Sequence, residues 1–217
     1  MACTGVGLAS VLAMDNQPSR PGDAGRSSAG DLNQMAGFSD SPETYDRVDW
    51  TLLQNGPINL YFRSDLLNQD SHWLEEHGYA IHTFDASCWH DEIEMHVSIQ
   101  SALSFPDYYG RNLDALNDCL SDFAISNDGG MAFVIFHFDT FADRHPTVAN
   151  ALLDIITDNS RRALLFGQRM IALLQTDTPD FRTGPLGATT GNWNRHEWLT
   201  STRARKADEQ TDEREPE

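Results

Sequence analysis

From Val48-Asp49-Trp50 onward, apolar residues fall into short bounded runs separated by Gly, Asn, Asp and Pro, the punctuation of alternating strands and helices. Ile58-Asn59-Leu60-Tyr61-Phe62 reads as a strand, and Ser64 to Glu76 as a helix ending near Gly78. Tyr79 to Phe84 supplies the next strand. His90 to Leu103 can form a helix with Ile93, Val97 and Ala102 partly directed inward. Leu113, Leu116 and Leu120 recur at helical spacing and can face a core, which places Asp114 and Asp118 together on another face. Met131 to Phe138 is almost continuously apolar, as suits a central strand of a parallel sheet covered on both sides. Pro146 can open a further helix, packing through Val148, Leu152, Ile155 and Ile156. Arg162 to Phe166 and Met170 to Leu174 read as late strands, with Gly167 allowing a bend or hairpin between them.

This order predicts one α/β domain with a mainly parallel sheet over residues 46–200. Residues 1–45 read as a flexible arm, rich in Gly, Ser, Pro, Asp and Asn from Asp15 to about Pro42, and residues 201–217 as a flexible acidic tail without an apolar stripe. Trp193 and Trp198 could dock a terminal segment onto the domain. The first fourteen residues are mildly apolar but lack a basic leader or a long hydrophobic run, so cytoplasmic residence and no membrane span are expected.

Charge narrows the choice of partner. With 33 acidic against 15 basic residues the formal net charge is -18, which opposes direct nucleic-acid binding and favours a basic protein. Cys3, Cys88 and Cys119 are widely spaced and form no Cys-x-x-Cys pair, and Cys119 reads as packing beside the leucines of its helix. The eight histidines form no His-Glu-x-x-His pattern, and no phosphate-binding or dinucleotide loop is present. His90, Asp91, Glu94 and His96 could approach one another on a helix, where a surface cluster is favoured over a metal site. No catalytic residue, metal ligand or cofactor is therefore assigned.

The run Phe105-Pro106-Asp107-Tyr108-Tyr109-Gly110-Arg111-Asn112-Leu113-Asp114-Ala115-Leu116-Asn117-Asp118-Cys119-Leu120 joins an aromatic turn to the short amphipathic helix. Like charges four residues apart slightly destabilise an isolated helix. A carboxylate pair beside Tyr108 and Tyr109 thus suits a cationic partner such as a phosphate-binding cleft. Read from residues alone, other roles stay open: solvated carboxylates, Tyr108 as a scaffold residue, or Cys119 with Asp118 and a remote histidine as a reactive site. Gly110 can supply a left-handed turn, and Asn112 can cap the helix.

The same run resembles the signature of the barstar family, small intracellular inhibitors of a secreted bacterial ribonuclease. The resemblance covers roughly residues 79–174 and is strongest over 105–120. It implies a mainly parallel sheet packed with helices, here extended by an N-terminal β-α unit. It also implies that Tyr108 is the interface tyrosine with Tyr109 beside it, and that Asp114 and Asp118 are the acidic positions of the binding helix. Asp118 would enter the nuclease's phosphate-binding centre, and Asp158 would match a glutamate on a later helix. Asn117 departs from the pattern by standing at a tryptophan position, and Arg111 by replacing an acidic residue, which adds repulsion unless it points away or pairs internally. The implied function is inhibition of a basic ribonuclease or related toxin. The alternatives are a noninhibitory interaction or immunity module for another toxin and, ranked last, an uncharacterised hydrolase.

Overall fold

Residues 38–126 and 129–198 are described in a computed structural model of the chain. Its framework is β3 (Gly130–Phe136) beside β4 (Met170–Gln175), two apolar strands buried along almost their whole length. β2 (Tyr79–Asp85) flanks β3, while β1 (Ile58–Tyr61) and then β5 (Asn192–Trp193) continue the sheet beyond β4. The five strands run in the order β2-β3-β4-β1-β5, and every pair is parallel. Successive side chains of a strand point to opposite faces, so two separate cores result. Met131, Phe133, Ile135, Met170, Ala172 and Leu174 face one core, while Ala132, Val134, Ile171 and Leu173 face the other.

The first core is covered by α4 (Glu92–Leu103), α5 (Leu113–Ser121), α6 (Phe138–Arg144) and α7 (Pro146–Leu165). The second is closed by α2 (Val48–Leu53) and α3 (Ser64–Glu76), through Leu52, Leu67 and Leu74. The N-terminal β-α unit thus enters the sheet and seals its second face.

Several expectations need correction. Arg162 to Phe166 is not a strand but the last turn and C-cap of α7, and no hairpin follows it. Gly167 is left-handed (φ 75°) and closes the helix: its N–H donates to the Leu164 carbonyl and that of Gln168 to the Ala163 carbonyl. The stretch reads as a strand because Leu165 and Phe166 are apolar, yet both are exposed. On α4 the inward residues are Met95, His96, Ile99 and Leu103, whereas Ile93, Val97 and Ala102 face outward. Met95, Ile99 and Leu103 form a one-face stripe at i, i+4 and i+8; Ile93 and Val97 lie two residues off it, on the far side of the helix. β3 ends at Phe136, and Phe138 already belongs to α6.

Packing begins earlier than residue 46. The Phe38 ring meets Trp50 edge-on at 5.2 Å, and α1 (Pro42–Tyr45) buries Thr44. Residues 1–37 of the expected arm, and the whole expected tail, lie outside the described residues.

Two polar latches tie the added elements to the sheet. Asp49, fully buried on α2, accepts hydrogen bonds from Arg47 (2.9 and 2.8 Å), from the Tyr79 hydroxyl (2.8 Å) and from Arg169 (3.3 Å). Tyr79 opens β2 and Arg169 immediately precedes β4, so one carboxylate joins three elements. At the other end, a Glu197 carboxylate oxygen on α8 (Arg195–Trp198) accepts the backbone N–H groups of Phe62 and Arg63 at 3.0 and 2.9 Å, tying the turn between β1 and α3 to the C-terminal segment. The Asn194 amide donates to the Tyr61 hydroxyl (2.9 Å) and to Asp70 (2.8 Å). Trp193 packs at the edge of the first core, while the Trp198 side chain lies outside the described residues. Polar side chains therefore do much of the docking that the sequence pattern assigns to the tryptophans.

Burial alone would raise the Asp49 carboxyl, but hydrogen bonds from Arg47 and Tyr79 outweigh it and hold the group below its ordinary value of 3.8. A folded pKa below the unfolded one stabilises the protein at neutral pH and loses that contribution as pH falls below about 4. Asp49→Ala should remove about 3–5 kcal/mol, since it takes the carboxylate away from the buried Arg169 guanidinium. Urea unfolding at pH 7 tests this; a midpoint equal to wild type would show that the latch carries no stability.

Candidate partner-binding site

The site begins where α4 ends. Ser104 adopts a left-handed conformation (φ 52°), and the Phe105 N–H closes onto the Gln100 carbonyl at 3.0 Å. Phe105 and Tyr109, four residues apart, turn into the first core with ring centroids 5.2 Å apart. The Tyr109 N–H donates to the Pro106 carbonyl at 2.9 Å, so the segment between them is forced outward. Tyr108 at its tip is 87% exposed. Two adjacent tyrosines thus part: Tyr108 meets solvent, and Tyr109 is buried.

The Tyr109 hydroxyl lies 2.6 Å from Nδ1 of His96, which is itself fully buried. Burial pushes the Tyr109 hydroxyl up. It pushes His96 down, with Glu92 opposing the shift. Both shifts favour a neutral imidazole accepting from a protonated phenol. Tyr109 is a support beneath the exposed face and not part of it.

The turn into α5 differs in detail from expectation. Arg111 is the left-handed residue (φ 49°), not Gly110. Gly110 answers to space: a Cβ there would lie 3.1 Å from the Asn112 amide nitrogen and 3.3 Å from the Ala115 Cβ. Asn112 does cap the helix, its side-chain oxygen accepting the Ala115 N–H at 2.8 Å. Leu116 and Leu120 are buried and Leu113 is half-buried against the same core, which leaves Asp114 and Asp118 exposed on the outer face of α5.

Asn117 is half-buried, and its side-chain oxygen accepts from the Asn159 amide of α7 at 3.0 Å. That bond joins α5 to α7, the helix that carries Asp158 next to Asn159. The Asp158 carboxylate is exposed and pairs with Arg161 at 3.1 Å. Arg111 is oriented by a neutral group and not paired with a carboxylate, its Nε donating to the Gln100 amide oxygen at 3.0 Å. Gln100, His96 and Asn159 are the supports that sequence inspection missed. Only their helical spacing from buried neighbours hinted at them.

The arrangement offers little for catalysis. Burial, then the Asp118 and Asp122 carboxylates, push the Cys119 thiol up, opposite to what a nucleophile needs. His96 turns inward, whereas His90 pairs with Glu94 at 2.7 Å on the surface, and Asp91 caps α4 by accepting the Glu94 N–H. Among the described residues no group of three or more His, Cys, Asp or Glu side chains could hold a metal ion. Nor is any helix there long and apolar enough to cross a membrane.

Comparison with known proteins points to one family. The model of the family described as "Barstar (barnase inhibitor)" matches residues 79–175, from the first residue of β2 to the last of β4. A protein of Bacillus subtilis (strain 168) named "Putative ribonuclease inhibitor YrdF" is 36% identical over 64 residues, 30% of this chain and 67% of that protein. The matched span contains the pinned loop, the acidic helix and the central strands beneath them, and the chain belongs to the barstar family.

Proposed function

We propose that this protein inhibits a ribonuclease by inserting the outer face of α5 and the neighbouring Tyr108 into its cationic active-site cleft. The observation that carries the reading is Tyr108, exposed at the tip of a loop pinned on both sides, next to two outward carboxylates on one helix. A pinned loop loses little conformational freedom on binding. Asp118 would accept hydrogen bonds from the Arg and His groups that otherwise hold an RNA phosphate, and Asp114 would extend the negative field. Asp158 would contribute at the flank, while Asn117 would act from below by holding α5 against α7. No bond is made or broken in this scheme: inhibition follows from occupying the cleft, and the protein is not an enzyme. A net charge of -18 supports a basic partner over nucleic acid, and the proposed setting is the cytoplasm. Arg111 within the acidic run supports a second reading, a noninhibitory or immunity module for another toxin.

Asp118→Asn keeps the size of the side chain and removes its charge. Truncating a member of a buried charged network across an interface costs about 2–5 kcal/mol, and Asn, which keeps some hydrogen bonding, should fall toward the lower end. Affinity would be measured by calorimetry against barnase and against a ribonuclease co-purified with the protein from its own cells, with urea unfolding alongside. Loss of affinity with an unchanged unfolding midpoint is expected; unchanged affinity at matched salt would contradict the role of Asp118. Capture of a partner that has no ribonuclease activity would replace inhibition with the second reading. Tyr109→Phe should behave in the opposite sense, removing about 1–3 kcal/mol of stability by orphaning a buried His96 nitrogen. A thermal or urea midpoint equal to wild type would contradict that supporting role.

A further inference from the structure

Arg111 is the only Lys or Arg in the run from Phe105 to Leu120. It is exposed, yet its direction is fixed at both backbone and side chain. Its left-handed backbone (φ 49°) is a conformation that side chains disfavour, so surrounding contacts must hold it. Gln100 supplies them through a single amide. The Gln100 Nε2 donates to the Pro106 carbonyl at 3.1 Å, and its Oε1 accepts from the Arg111 Nε at 3.0 Å. One side chain therefore bridges the start and the end of the loop that displays Tyr108.

The clamp is neutral, and this decides what Arg111 can do. A carboxylate at position 100 would cancel the guanidinium charge; an amide orients it and leaves the charge in place. Among the described residues Arg111 enters no ion pair, although the whole protein carries a net charge of -18. Its remaining N–H groups are free to form the paired hydrogen bonds with which a guanidinium meets a carboxylate. A cation held in this way, in the turn that leads into the helix of Asp114 and Asp118, opposes a partner whose cleft rim is basic throughout and rewards one with an acidic group at that place.

We propose that Arg111, positioned by Gln100, is a specificity-determining residue that selects ribonucleases with a carboxylate on the rim of an otherwise cationic cleft. This rests on the inhibitor reading given above. Arg111 discriminates among ribonucleases, whereas Asp114 and Asp118 supply the attraction common to them.

The test measures association and dissociation rates of the full-length protein with barnase, at low salt and at about 0.5 M salt, where screening is nearly complete. Arg111→Glu should bind barnase about tenfold faster than wild type at low salt, Arg111→Ala should fall between them, and the differences should shrink at high salt. Arg111→Lys should keep the wild-type handicap against barnase. Barnase variants with single Lys→Glu or Arg→Glu changes on the cleft rim should include one that wild type binds at least tenfold more tightly, a gain that Arg111→Ala abolishes. Gln100→Leu should reduce that gain several-fold without removing it, the result expected of a positioning residue. Equal rates for wild type, Arg111→Ala and Arg111→Glu, with Asp118→Asn still weakening the complex, would overturn the role of Arg111 and leave inhibition standing. Failure of every variant to bind barnase would also overturn it, because relieving the repulsion would then not restore the fit. Inhibition itself would in that case be judged on the co-purified ribonuclease. Unfolding midpoints confirm that each variant is folded, and Arg111→Gln replaces Arg111→Glu if the latter is not.

Discussion

A parallel sheet with apolar residues on both sides of its central strands must be covered on both sides, and the rest of this structure follows from that requirement. β3 and β4 direct Phe133, Ile135 and Leu174 to one face and Val134, Ile171 and Leu173 to the other. The span shared with the barstar family supplies helices to the first face only. The second is closed by α2 and α3, which precede that span, with β1 widening the sheet beneath them. The N-terminal unit is therefore part of the fold, and the buried Asp49 with Arg47, Tyr79 and Arg169 joins it to the family span.

That division places the N-terminal helices and the proposed recognition face on opposite sides of the sheet. The leucines of α5 pack into the first core, so its carboxylates project from the side away from α2 and α3. The loop before α5 is held by side chains of α4, where His96 grips Tyr109 from inside and Gln100 bridges Pro106 and Arg111 near the surface. Exposed groups on a firmly anchored loop suit the proposed inhibition. A mobile loop would lose on ordering much of what its contacts gain.

Much of the fold was legible in the sequence because strands and inward helix faces are periodic. The apolar run of β3, the bounds of α3 and the stripe of α5 all follow from spacing. Expectation and structure differ where composition and burial part company. Leu165 and Phe166 are apolar yet exposed, so the end of α7 reads as a strand; Ile93 and Val97 draw attention to the wrong side of α4. At the site, the outward carboxylates and the Asn112 cap were legible because each depends on local order along one helix. The burial of Tyr109, the left-handed Arg111 and the Asn117–Asn159 bond were not, because each depends on a neighbour far away in sequence or on the closure of a turn.

The central claim is that a ribonuclease binds the face formed by the Tyr108 loop and α5. Hydrogen–deuterium exchange on the complete protein, with and without a saturating ribonuclease, tests it most directly. Slower exchange on binding should concentrate in residues 106–121 and reach α7 around Asp158, while α3 exchanges at the same rate in both samples. Protection centred on α2 and α3, or a stable ribonuclease complex that leaves residues 106–121 unprotected, would contradict it.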